Sequence, residues 1–506
     1  MKEKNQKNQE GYSLVSNSAN TVETGCGKKF RNVEGMSWIV TCLFIVGETA
    51  GGGLIAMPTA MVSAGLFGGI FIIIVGAIVC AYTGDQLSEN WTILQERWPE
   101  YRNHCRKPYP AMGLRALGPV FASVVSSCLN VTQFGTAVVF LLLAAKNIES
   151  FIHSYFGVHV GFCYLVIFVA IFMLPFTMLK SPKDFWWAVI GAMITTSIAV
   201  YLIIYGSILD YDACIKEVHY AQIVPTKFFM CFGTVMFAYG GHGAFPTIQH
   251  DMKKPYQFKR SVFTAFLIVI CMYLPVSIMG FITYGDSLLD SIIPSLQEFY
   301  IQQTVNVLIT LHVVLALTIV FNPLNQEWEE LLNVPQEMGI QRVLARSAMM
   351  IAVVLVAETV PNFGVLLDLV GGSTITLMAL VFPVIFNLYL VAGRMKYGDA
   401  IAPQNETPVT LKEYVYSMKF SYDSVIIAMN AMLSSEFSPP CYSGIFTTED
   451  AIIDDIFGNS TITAAPLISH AGKFNCCGMF KNISRFGGID SCLDPFSKTA
   501  MGGSHG

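Results

Sequence analysis

Charge is what this chain has least of. Lys, Arg, Asp and Glu make up 13% of its 506 residues, against ~25% in ordinary soluble domains. Other absences narrow the function further. The 13 cysteines include no CxxC pair, only the adjacent Cys476-Cys477, so no zinc site is expected. Five of them (Cys42, Cys80, Cys128, Cys231 and Cys271) lie in apolar runs, where cysteine behaves as a small hydrophobe. No nucleophile elbow, phosphate loop or metal-ligand cluster stands at the end of an apolar run, so an enzyme, a cofactor and a bound metal are not expected. The basic residues are dispersed rather than gathered into a patch, which argues against a nucleic-acid partner. No polar stripe repeats along several runs, as a channel would need. The first ~35 residues are polar, so no cleavable signal peptide is expected.

Long apolar runs are what the chain has most of. Apolar residues account for 53% of it, and a stretch of ~20 crosses a bilayer as a helix. Ten such spans are read: Trp38–Ser63, Leu66–Tyr82, Val120–Ala144, Gly161–Leu179, Phe185–Ile208, Phe228–His250, Val262–Tyr284, Thr304–Phe321, Val343–Val360 and Gly364–Val391. With a cytosolic N-terminus, only Lys146, Lys216 and Lys227 of the 30 basic residues fall in loops on the opposite face, in line with the positive-inside rule. Three regions follow. Residues 1–37 are a polar, cytosolic, disordered N-terminus, 38–391 are the membrane domain, and 392–506 are a polar tail without an 18-residue apolar run. The tail is expected to be cytosolic and largely disordered. Its sequons at Asn405, Asn459 and Asn482 would then carry no glycan.

Two spans are interrupted halfway by glycines. The first carries Gly47-Glu48-Thr49-Ala50-Gly51-Gly52-Gly53, the second Tyr239-Gly240-Gly241-His242-Gly243. Glycine is poor in helix interiors, and irregular backbone at membrane depth survives only where it is buried in protein or lines a wet cavity. Close helix packing is the other use of small residues in membranes. The interrupted spans are the first and the sixth of ten. With five spans per half, the second half is inverted relative to the first, a plan that places a substrate near the midplane.

These residues carry a resemblance. Gly47–Pro58, the run Gly240-Gly241-His242-Gly243-Ala244-Phe245-Pro246 onward to Pro255, Tyr284-Gly285, Asn322-Pro323 and Leu367–Ser373 are similar to the amino acid/auxin permease family of amino-acid transporters. The similarity extends from about Ser37 to Arg394, and the Gly-His-Gly-x-Phe-Pro run is most like the vesicular inhibitory-amino-acid and plant amino-acid permease branches. The resemblance implies an all-α polytopic membrane protein with a LeuT-like 5+5 inverted repeat and discontinuous first and sixth helices. It also implies secondary active transport by alternating access. Members usually carry an eleventh span, and none is read here after residue 391. Sodium-coupled relatives have an asparagine near the first break, where this chain has Glu48, which turns the expectation from sodium toward proton-coupled symport.

An amino acid offers a carboxylate and an ammonium. Free N–H groups at Gly51, Gly52, Gly53 and Leu54 suit the first, and carbonyls released at Gly240, Gly241 and His242 suit the second. Thr49 and Ala50 belong to the same break. Tyr239 is a candidate aromatic lid, and Gln133, with Asn130 and Thr132, a candidate contact from the third span. An ionised carboxyl at Glu48 would be costly at that depth, so Glu48 is either a proton carrier or a permanently neutral hydrogen-bonding group. His242 is either a proton relay or a neutral ring bonded to a freed carbonyl. His312 has no motif around it and reads as structural. Asp368 is either a gate or a helix-start carboxylate. Cys163 and Cys214, on the outer side, are candidates for a disulfide. Tyr12-Ser13-Leu14-Val15 fits a short sorting pattern that would place the chain in an endolysosomal or vesicular membrane rather than the plasma membrane. The expected partners are a small, neutral amino acid, a coupling proton and the lipid bilayer. The alternative reading is an amino-acid sensor that binds but scarcely transports.

Overall fold

The computed structural model describes residues 30–410, apart from 33–34, 104, 159, 179–185, 217, 221–224, 336–338, 399–400 and 403–405, together with 474–475 and 483–484. The helices run in the order α1 (Trp38–Thr49), α2 (Met57–Arg97), α3 (Pro108–Leu117), α4 (Pro119–Phe156), α5 (Phe162–Thr177), α6 (Trp186–Cys214), α7 (Pro225–Ala238), α8 (Phe245–His250), α9 (Phe258–Tyr284), α10 (Phe299–Leu331), α11 (Ile340–Thr359), α12 (Phe363–Val370) and α13 (Phe382–Tyr397). Five-residue π-turns, Gly371–Ile375 and Leu377–Val381, carry the chain from α12 into α13. A two-residue pairing of Phe474–Asn475 with Ile483–Ser484 is the strand structure among the described residues. The chain is an all-α polytopic membrane protein: among the described residues seven helices are long and apolar enough to cross a bilayer, and two shorter apolar ones, α1 and α5, accompany them.

Both interrupted spans are broken. Between α1 and α2 the chain runs through Ala50–Gly53 and a single tight turn, Leu54–Ala56. The second half of span one is the start of α2, which folds back at Gly65, where φ is +74° and a side chain would be strained. Span two follows, so α2 is two helices joined at one glycine. The sixth span breaks in the same manner, with α7 ending at Ala238 and α8 starting at Phe245. A proline stands in the first turn of each second half, Pro58 and Pro246, where its missing N–H costs nothing.

The helices outrun the apolar windows. Span two continues to Arg97 rather than ending at Tyr82, and span eight occupies Phe299–Leu331 rather than 304–321. Their polar ends stay helical because neighbours satisfy them. Asp85 pairs with Lys259 at 2.5 Å, and Glu329 pairs with Arg342 at 3.0 Å and Arg346 at 2.5 Å. The loop expected over 83–119 contains the helix α3. The anticipated Cys163–Cys214 disulfide is not formed. Cys163 is exposed at the start of α5, and Cys214 is buried at the end of α6. Lipid-facing side chains such as Phe67, Phe168, Ile171 and Leu267 are exposed, as a helix bundle in hydrocarbon requires. Tyr12–Val15, Asn405, Asn459 and Asn482 lie outside the described residues. Described C-terminal residues dock on the bundle: Ala402 N–H donates to the Arg97 carbonyl at 2.7 Å, and Arg97 pairs with Glu406 at 2.9 Å.

Candidate functional site

The two breaks lie against each other. A Cβ built on Gly53 would stand 2.6 Å from Ala238 Cα, and one on Gly241 would stand 3.1 Å from Thr49 Oγ1 and 3.6 Å from Glu48 Cγ. Tyr273, on α9, ties them together: its hydroxyl lies 2.8 Å from the carbonyl of Thr49 and 2.9 Å from that of Ala238. These are the last residues of α1 and α7, so one phenol reaches the carboxyl ends of both first half-helices.

Where the breaks meet, they enclose a cavity of about 70 Å³. The first break contributes Glu48, Thr49 and Gly51–Gly53, and the second Gly240–Ala244. From α4 come Leu129, Thr132, Gln133, Thr136 and Phe140, spaced as one face of a helix. His312 and Ala316 enter from α10, and Ile375 and Met378 from the π-turns. Of the residues expected at the site, Glu48, Thr49, Gly51, Gly52, Gly53, Gln133, Gly240, Gly241 and His242 line this cavity. Ala50 and Tyr239 are buried beside it without lining it. Tyr239 packs on Tyr273, with centroids 5.4 Å apart, and donates its hydroxyl to the Ile73 carbonyl at 3.0 Å, so it is engaged elsewhere than as a lid. Asn130 lies off the lining face, while Thr132 is on it.

The peptide groups divide unevenly. Gly51 N–H donates to Thr49 O and Leu54 N–H to Gly51 O, but the N–H groups of Gly52 and Gly53 make no hydrogen bond among the described residues. The same holds for the N–H groups of Gly241, His242 and Gly243. The carbonyls of Gly241 and His242 are taken by Ala244 and Phe245, at 3.1 and 3.3 Å, which leaves Gly240 as the unclaimed acceptor of the three expected. The carbonyls of Ala50, Gly52 and Gly243 likewise accept no hydrogen bond among the described residues, so the breaks offer both donors and acceptors.

The side chains differ as well. The Glu48 carboxyl has no hydrogen bond or ion pair among the described residues and is part-exposed to the cavity. His242 is held: its Nε2 lies 3.0 Å from the Cys80 carbonyl and 3.2 Å from Thr83 Oγ1, while its Nδ1 is buried without a partner. A carbonyl only accepts, so Nε2 carries the proton. Thr49 Oγ1 and Thr132 Oγ1 are also buried without partners. Asp368 sits behind the cavity wall, accepting a hydrogen bond from the Thr234 hydroxyl. His312, read from the sequence as structural, is at the wall itself. The signal for it was slight, a single polar residue in an apolar span, and nothing local joined it to the glycines.

The profile of the family described as transmembrane amino acid transporter protein matches residues 34–409. Amino acid transporter AVT1B of Arabidopsis thaliana is 26% identical over 349 residues, covering 67% of this chain and 62% of the relative. The proton-coupled amino acid transporter-like protein pathetic of Drosophila melanogaster is 23% identical over 367 residues, covering 69% and 76%. The match thus spans less than two thirds of the length of AVT1B. Among solved structures, the crystal structure of MhsT in complex with L-phenylalanine aligns over 85% of this chain and 99% of its own with a TM-score of 0.47 and 12% identity, too slight a likeness to argue from.

Proposed function

The chain belongs to the transmembrane amino acid transporter family, and from that footing we propose that it is a secondary active transporter of small, neutral amino acids, driven by protons. The observation that carries this is the meeting of the two breaks. Five peptide N–H groups that have no acceptor among the described residues border a cavity that also holds a carboxyl unpaired among them. Peptide donors at a helix break suit the substrate carboxylate. The cavity is small, about 70 Å³, which favours a small amino acid.

Glu48 is the proton carrier in this reading. It lines the cavity, so a proton and a substrate share one compartment that opens to each side in turn. His242, with one nitrogen held on α2 and the other buried and unpartnered, is placed to relay the proton or to steady the second break. The name of the Drosophila relative supports proton drive. The N-terminus and the tail are cytosolic in this reading, and the resident membrane is the plasma membrane or an endolysosomal or vesicular one. Alternating access follows from the breaks, since each half-helix can tilt about its glycines while the other half stays packed.

Uptake of labelled alanine into proteoliposomes tests the reading. A proton gradient should drive accumulation and a sodium gradient should not. Accumulation driven by sodium alone would overturn the coupling. Tight binding of alanine with negligible flux would replace the transporter by a sensor.

A further inference from the structure

We propose that His312 is a substrate-contacting residue whose Nε2 accepts a hydrogen bond from the α-ammonium of the bound amino acid. This rests on the reading of the cavity as an amino-acid site.

The orientation of the ring comes from its far side. Nδ1 lies 3.0 Å from the carbonyl of Ala192 and 2.8 Å from Thr196 Oγ1, both on α6. The carbonyl accepts, so Nδ1 bears the proton, and in the neutral ring Nε2 bears a lone pair. That lone pair faces the first break. A Cβ built on Gly51 would stand 3.0 Å from His312 Nε2, so the bare backbone of Gly51 is what leaves room for it. No partner for Nε2 is found among the described residues, although the whole side chain is 1% exposed. The residue lines the cavity, so a ligand there that donates a hydrogen bond can reach this lone pair.

The chemistry of the ligand matches. Of the three carbonyls of the second break expected to meet an ammonium, those of Gly241 and His242 are spent on their own turns, and that of Gly240 is unclaimed among the described residues. An ammonium brings three donors and needs acceptors. His312 Nε2 supplies one beside the peptide groups of Gly52 and Gly53, which suit the carboxylate of the same molecule. Glycine at position 51 and histidine at 312 act as one unit in this arrangement.

Two isosteres separate a binding role from a structural one. A glutamine side chain places its terminal amide where Nε2 stands, and an asparagine places its own where Nδ1 stands. In the full chain in proteoliposomes, with labelled alanine, H312Q should keep KM within about three-fold of the parent. H312N keeps the tie to α6 but loses the acceptor in the cavity, and should raise KM roughly ten-fold or more with the maximal rate changed far less. Gly51→Ala, which sets a methyl against Nε2, should also raise KM. The proposal is overturned if H312N binds alanine as the parent does, or if H312Q is impaired more than H312N, the pattern of a residue that only braces α6. Should either histidine variant fail to insert, Gly51→Ala with an unchanged KM is sufficient to overturn it. A parent chain that neither binds nor moves any amino acid removes the reading of the cavity as well. A parent that transports while H312N matches it removes this proposal alone.

Discussion

The two breaks look alike on paper and are built differently. Each is a glycine cluster between a half-helix and a proline-started half-helix, and each leaves N–H groups unspent. At Gly53 the first break is closed against backbone, while its Gly51 and Gly52 meet side chains. Gly53 meets Ala238 Cα, so nothing nearby can yield to a side chain there. The second is closed against side chains: Gly241 meets Thr49 Oγ1 and the Phe245 ring, and Gly243 meets Leu129. The first break carries an ionisable group left free toward the cavity, whereas the ionisable group of the second is pinned to α2 by Cys80 and Thr83. Matched glycine clusters therefore need not share a task. In the proposed reading both offer peptide groups to the substrate, and the first adds the carboxyl that carries the proton.

The comparison can be broken most sharply at Gly53. Gly53→Ala should abolish uptake, by roughly a hundred-fold or more, because the added methyl meets immovable backbone. Initial-rate uptake of alanine checks it, and substantial residual transport would deny that the breaks need this approach. Glu48→Gln comes next. It should lose about ten-fold in proton-driven accumulation and flatten the pH dependence of uptake while exchange of alanine across the membrane persists; an unaltered pH profile would count against Glu48 as the carrier. Gly241→Ala should cost only a few-fold in rate, since its neighbours are side chains, and a loss as severe as that at Gly53 would erase the asymmetry between the breaks. The smallest effect is expected at the point that joins them. Tyr273→Phe removes a hydroxyl worth about 1 kcal/mol and should lower the thermal midpoint by ~2–4 °C, measured by fluorescence in detergent, with the substrate KM little changed.

Much of the site was legible because its signals are local. Gly51-Gly52-Gly53 and Gly240-Gly241 break helices wherever they occur, and Glu48 and His242 announce themselves by sitting among them. Of Asn130, Thr132 and Gln133, which face different sides of one helix, helical spacing allowed only one or two at the site, and the structure places Thr132 and Gln133 there. Other features were not legible. His312 stands alone in an apolar span, 261 positions from Gly51 (312 − 51); only the packing of α10 beside the first break brings them together. The same applies to Tyr273, an ordinary aromatic in span seven until its hydroxyl is seen between two helix ends. Tyr239 illustrates the converse. Its position next to Gly240 suggested a lid, but helical phase turns it away from the cavity toward Ile73.

The chain alone determined that it crosses a membrane, where its spans lie to within a few turns, and that two of them come apart in the middle. Hydrophobic length, lysine and arginine placement, and the helix-breaking cost of glycine are properties of neighbouring residues. What only the tertiary structure decided is which unspent groups face one another: the N–H groups of Gly52 and Gly53, the carboxyl of Glu48 and the Nε2 of His312 around one small cavity. Those encounters depend on how far apart packed helices stand and how each is rotated about its axis, and no local pattern encodes either quantity.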